Sequence, residues 1–182
     1  CINWHDAKAY VGWLSRKTGK AYRLLTESEW EYATRAGSTT EFHFGDDEEV
    51  ICAFGNGRDQ TADEHWAKAM TASEDPDNRK QPQCRDGFAR TAPVGSFSAN
   101  AFGLYDMHGN VWEVVEDCDH TNYAGAPTDG SAWLSGDCSH RMRRGGSFYH
   151  PAGTLRSTFR YGGVRGDRVD DVGFRVARTL SR

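Results

Sequence analysis

The chain has 182 residues, a net charge of −4, a pI near 6.0, 20 glycines and a mean hydropathy of −0.74. That length suits one domain with a sizeable core. The acidic balance offers no field for nucleic acid phosphates, and no run approaches the roughly 20 apolar residues that cross a bilayer, so neither nucleic acid nor membrane insertion is expected. No charged-then-apolar signal pattern opens the chain, and its compartment is not legible.

Asn3 reads as the N-cap of a helix over about 4–17, with Ala7, Tyr10, Val11 and Leu14 on one face and Gly19 as its stop. Thr26 and Glu29 form a capping box for a second helix that turns Trp30 and Ala33 inward and ends at Gly37. From Ser38 to Val94 the pattern is loop. The polar stretch 59–83 reads as a surface insertion held by Trp66, with a short helix near 62–70. From Phe97 onward short apolar runs alternate with Gly, Asn and Asp clusters, which predicts short strands on long turns and an α+β fold. Cys1, Cys52, Cys84, Cys118 and Cys138 are odd in number and lack CxxC spacing, so the reading is reduced thiols, with Cys118 and Cys138 the pair to check first.

Four ordered blocks stand out: Arg23 to Ala33 (RLLTESEWEYA), Gly103 to Glu113 (GLYDMHGNVWE), Arg144 to Phe148 (RGGSF) and Val172 to Arg178 (VGFRVAR). Together they resemble the formylglycine-generating-enzyme, or sulfatase-modifying-factor, family over nearly the whole chain. The resemblance implies one domain over 1–182 with a C-type-lectin-like fold, two helices flanking short antiparallel strands. Family members begin with a further strand and helix before the match to Asn3 and Trp4, which leaves either an abbreviated N-terminus or residues ahead of Cys1.

By the same resemblance, Asp106, the Gly109 and Val111 carbonyls and Glu113 would hold a structural Ca²⁺, an oxygen-rich set that suits this ion. The alternative is that Asp106 and Glu113 hydrogen-bond strand ends. The family's oxidation uses copper held by two cysteines, three and eight residues after the serine of the Gly-Gly-Ser motif. Here those positions are His150 and Leu155. Soft thiolates select Cu(I), and an imidazole beside a leucine does not replace them, so no catalytic copper and no catalytic residue is expected. The seven histidines are scattered without metal spacing. Ser147 lies in no G-x-S-x-G elbow. Arg156, Arg160, Arg168 and Arg175 read as internal scaffold tying loops or a carboxylate such as Asp170.

Between Ser147 and Val172 the chain contains no Lys, Glu, Gln, Trp or Met, the five residues that a codon ending in a pyrimidine cannot encode. This resembles the variable proteins of diversity-generating retroelements. The implied function is non-catalytic capture of a protein or other macromolecule through a variable segment over 144–178. Its candidate ligand-binding residues are Phe148, Tyr149, His150, Ala152, Gly153, Thr154, Phe159, Tyr161, Gly163, Val164, Gly166, Asp167, Val169, Asp170 and Asp171. Phe148, Tyr149, His150, Phe159, Tyr161 and Val169 are expected to be at least partly exposed and clustered on one face, and Trp112, Arg156, Arg160, Phe174 and Arg175 buried or hydrogen-bonded within the fold. The alternative is a sulfatase-modifying-type oxidoreductase or accessory domain acting on a peptide or small molecule.

Overall fold

The computed structural model describes residues 1–66 and 81–180, so the rest of the helix expected over 62–70 lies outside the described residues. The chain passes back and forth between two compact units: residues 1–32, 112–144 and 160–182 form one, and residues 33–111 and 145–159 the other.

In the first unit, α1 (Trp4–Thr18) starts where the Asn3 side chain accepts the Asp6 N–H and Asp6 accepts the Asn3 N–H, each at 3.0 Å. It ends at Gly19, whose φ of 67° is the left-handed conformation that glycine reaches without strain. Ala7 and Val11 are buried, whereas Tyr10 is 45% exposed. The apolar face is thus narrower than its spacing suggests. The Thr26 and Glu29 box forms as read, with bonds of 3.1 and 2.9 Å, and opens α2 (Glu27–Arg35).

The same unit holds two sheets. β1 (Tyr22–Leu24) pairs antiparallel with β6 (Val176–Arg178). The other sheet runs in the order β4 (Arg160–Val164), β3 (Asp137–Arg144), β2 (Trp112–Asp119) and β5 (Val172–Gly173). β2 pairs antiparallel with β3 and parallel with β5. Leu24, Trp30, Trp112, Val114, Val115, Met142 and Val172 are among the unit's buried apolar residues. A Cβ at Gly162 or Gly163 in β4 would overlap the Asp119 carboxylate or the Arg143 guanidinium, so a larger residue at either requires that side chain to move.

The second unit is mostly loop. It carries a 3-10 turn over Glu48–Ala53, α3 (Gln60–Trp66) and another 3-10 turn over Ala152–Thr154. Phe42, Ile51, Ala152 and Leu155 form its core cluster. Among the described residues no helix is long and apolar enough to cross a membrane.

The reading of reduced cysteines is corrected. Cys52 is bonded to Cys84 and Cys118 to Cys138, leaving Cys1 as the free thiol. The pair singled out for checking, Cys118 and Cys138, is one of the two; the odd count came from Cys1, and Cys52 and Cys84, 32 positions apart, have no spacing that sequence could flag.

Candidate functional site

The positions that carry the family's thiols lie in the second unit. Leu155 has no exposure and fills the space left by three glycines: a Cβ at Gly57, Gly109 or Gly146 would lie within 2.9 Å of its side chain. Its carbonyl is 2.8 Å from His108 Nδ1, while His108 Nε2 accepts the His43 N–H at 3.3 Å. Burial pushes His108 down to about 3, so it is a neutral imidazole with both nitrogens engaged. It is a structural histidine.

His150 stands at the other thiol position. Its Nδ1 and Ser147 Oγ share a hydrogen bond of 2.8 Å, and its carbonyl accepts the Arg58 N–H at 2.8 Å. Next to it, Tyr149 stacks on Trp66 with centroids 5.2 Å apart and on Phe148 at 4.1 Å. Arg58 sits 6.0 Å from the Trp66 ring and pairs with Asp63 at 2.7 Å. Trp66 therefore anchors its helix against the candidate site, as the sequence suggests. The residues present do not fit copper: one position offers an imidazole bound to a serine, the other a packed isobutyl group.

Phe148 corrects an expectation. It is 1% exposed, because its ring lies beneath Tyr149 and its N–H is tied to the Asn110 carbonyl at 3.1 Å. Ala152 and Thr154 are buried too, and Gly153 and Phe159 are half-buried. Of the large candidate side chains in this unit, Tyr149 is 37% exposed, and His150 and Phe159 are half-buried and so partly reachable.

The remaining candidates lie in the first unit. Tyr161 is 50% exposed and packs on Trp112 at 5.5 Å; Gly163 is buried against Arg143, and Asp171 is half-buried. From Val164 to Asp170 every side chain is exposed. The backbone of this run is nevertheless pinned. The Arg165 N–H donates to Ser139 O at 2.9 Å, Arg165 O accepts the Trp4 N–H at 3.2 Å, and Gly166 O accepts from Asn3 Nδ2 at 3.0 Å. Val169 bridges Ile2.

The arginines behave as scaffold. Arg160 grips Glu27, Arg168 pairs with Asp6, Arg175 with Glu113, and Arg156 with Glu41 and the Gly153 carbonyl. Arg156 is partly exposed, and Phe174, expected in the core, is half-buried against Tyr10 at 5.5 Å.

The expected Ca²⁺ ligands are also placed. Glu113 takes Arg175 on both oxygens, at 2.5 and 2.6 Å, and the Trp30 indole N–H at 2.7 Å. Three of the roughly four acceptor sites of the carboxylate are thus taken, and an ion at Glu113 would compete with Arg175 for it. Asp106 Oδ2 accepts the Gly95 N–H at 2.8 Å within the other unit, where buried Gly109 donates to Gly145 O at 2.7 Å and Val111 is half-buried.

Residues 1–180 match the family model described as sulfatase-modifying factor enzyme 1-like domain. The chain belongs to that family. The mouse formylglycine-generating enzyme is 31% identical over 154 residues, 81% of this chain and 34% of its own length. The bovine inactive C-alpha-formylglycine-generating enzyme 2 is 28% identical over 190 residues, 100% of this chain and 50% of its own. The chain thus spans half or less of these relatives, and the family includes an inactive member. Among solved structures, PvdO from Pseudomonas aeruginosa is 44% identical with a TM-score of 0.80, over 99% of this chain and 61% of that one. Treponema denticola variable protein 1, 22% identical with a TM-score of 0.71 over 96% of this chain and 68% of that one, shares the fold.

Proposed function

We propose that this domain is a binding module without formylglycine chemistry, displaying variable side chains on the run Val164 to Asp170 together with Tyr161, and that its target is a protein or other macromolecule. One observation carries the reading: the run is held by backbone atoms, by Asn3 and by the Arg168 pair with Asp6, while the side chains of Val164, Arg165, Asp167 and Val169 are exposed. Such an arrangement tolerates substitution, which is what a diversified surface requires. The absence of Lys, Glu, Gln, Trp and Met from residues 148–171 supports the same reading. Two disulfides support an oxidising compartment, where a display protein meets its target.

Sequencing the locus tests the genetic half. A near-repeat of the codons for about 144–178, differing at adenines, should lie beside a reverse transcriptase gene; a locus with neither would remove diversification from the reading. The chemical half is tested with Cu(I), oxygen and a Cys-x-Pro-x-Arg peptide. Mass spectrometry should find the cysteine unchanged, and formylglycine above a no-protein control would overturn the proposal.

The hydrogen-bonded Ser147 and His150 pair, with His150 at a position where the family resemblance implies a copper-binding thiol, favours a second reading, a copper-independent oxidoreductase or accessory domain. Under that reading Ser147→Ala and His150→Ala would abolish an activity without altering binding at the 164–170 run.

A further inference from the structure

Cys52 and Cys84 are both half-buried and pack against the Phe42, Ile51, Ala152 and Leu155 cluster. Cys52 Sγ lies 3.6 Å from Asp59 Oδ2. Asp59 is 1% exposed; its Oδ1 caps α3 through the Ala62 N–H at 3.0 Å, and its Oδ2 accepts the Asp86 N–H at 2.6 Å and the Thr61 hydroxyl at 3.2 Å. A disulfide sulfur has no proton to give this carboxylate. A Cys52 thiol has one, so opening the bond replaces a contact between lone pairs with a charge-assisted hydrogen bond in a buried setting. At the other disulfide Cys118 has no exposure, and half-buried Cys138 faces the neutral Leu134 carbonyl at 3.3 Å rather than a carboxylate.

We propose that Cys52 and Cys84 form a redox-active disulfide that exchanges with a dithiol, and that Asp59 is the positioning residue that receives the Cys52 thiol. An incoming thiolate is repelled from Cys52 by the adjacent carboxylate and therefore attacks Cys84 Sγ. The Cys52–Cys84 bond breaks, and its electron pair leaves on Cys52, which takes a proton from solvent and hydrogen-bonds Asp59. The second thiol of the dithiol, as thiolate, then attacks the mixed disulfide at its own sulfur; the Cys84 sulfur leaves and is protonated, and the partner departs as a disulfide. Two electrons and two protons pass from the dithiol to the protein.

The test incubates the native protein in dithiothreitol buffers of graded oxidised-to-reduced ratio, traps thiols with iodoacetamide and reads each cysteine by mass spectrometry. Cys52 and Cys84 should open at a ratio about tenfold more oxidising than that needed for Cys118 and Cys138, with the native circular dichroism kept. Asp59→Asn, which preserves a capping side chain, should move the Cys52–Cys84 midpoint about threefold toward more reducing buffer. Opening of both disulfides together, opening only on unfolding, or an unchanged midpoint in Asp59→Asn would overturn the proposal. Should that variant fail to fold, the order of opening in the unaltered protein decides alone.

Discussion

Glu27 and Arg160 meet through two hydrogen bonds, Nε to Oε1 at 2.6 Å and Nη2 to Oε2 at 2.8 Å, and Arg144 adds a third to the same carboxylate at 3.1 Å. Arg144 has no exposure and reaches Glu31 at 2.5 Å with its other arm. The cluster joins the start of α2 to β3 and β4, placing the helix over the sheet. Removing one partner from a buried pair strands the other charge, so Glu27→Ala should destabilise the fold by about 3–5 kcal/mol. Urea denaturation measures it. A loss below about 1 kcal/mol would show that Glu31 and solvent suffice for both guanidinium groups.

The helix ends were legible because capping chemistry is local: Asn3 and Asp6, like Thr26 and Glu29, lie one turn apart. Glu27 and Arg144 are separated by 117 positions, and nothing near either announces the other. The same holds for Cys52 and Cys84. At the candidate site, the replacement of the family's thiols by His150 and Leu155 was readable only through the resemblance, by counting from Ser147 of the matched Gly-Gly-Ser block. The burial of Phe148 was not, since an aromatic in a glycine-rich run looks the same in sequence whether it lies beneath or above its neighbour.

Ca²⁺ at the Asp106 to Glu113 loop is a question of competition with Arg175. An ion that binds the folded state alone would add about 2.7 kcal/mol at a hundredfold excess over Kd. With both Glu113 oxygens held by Arg175 at 2.5 and 2.6 Å, the melting temperature is expected to be the same in Ca²⁺ and in chelator. Glu113→Ala should lower it in both, because it strands Arg175 and the Trp30 indole. A rise on adding Ca²⁺ that Glu113→Ala abolishes would show the ion winning instead.

Display and scaffold separate by substitution. Asp167→Ala and Val169→Ala remove side chains that project from a backbone held elsewhere, and each should change stability by no more than about 0.5 kcal/mol. Trp112, 3% exposed under Tyr161, should cost roughly 3–5 kcal/mol on truncation to Ala. Asn3→Ala tests the pinning itself: it removes the bond to Gly166 O together with the α1 cap, and it should loosen the run, read as faster amide exchange at 165–169. Unfolding by Val169→Ala would mean that the run is core in all but exposure.

The pH profile should carry the mark of His108. Burial holds its folded value near 3, whereas the unfolded residue takes a proton near 6.5. Between those values the unfolded chain binds more protons, so stability falls as the pH falls, by up to about 1.4 kcal/mol per pH unit, and above 6.5 the contribution is constant. His43, also lowered by burial, acts in the same direction. Asp86 opposes both. Burial first, and then the neighbouring Asp59, raise its carboxyl to about 7, so between about 3.8 and about 7 the folded state keeps a proton that the unfolded chain has lost, and its contribution is present below 3.8 and lost as the pH rises through that window. The net profile therefore says little, and differences between variants decide. In urea midpoints from about pH 4 to about pH 7.5, His108→Gln should flatten the acid limb relative to wild type, and Asp86→Asn should steepen it. Parallel profiles for wild type and His108→Gln would mean that water reaches the His108 ring and that its packing beneath Leu155 is looser than its hydrogen bonds imply.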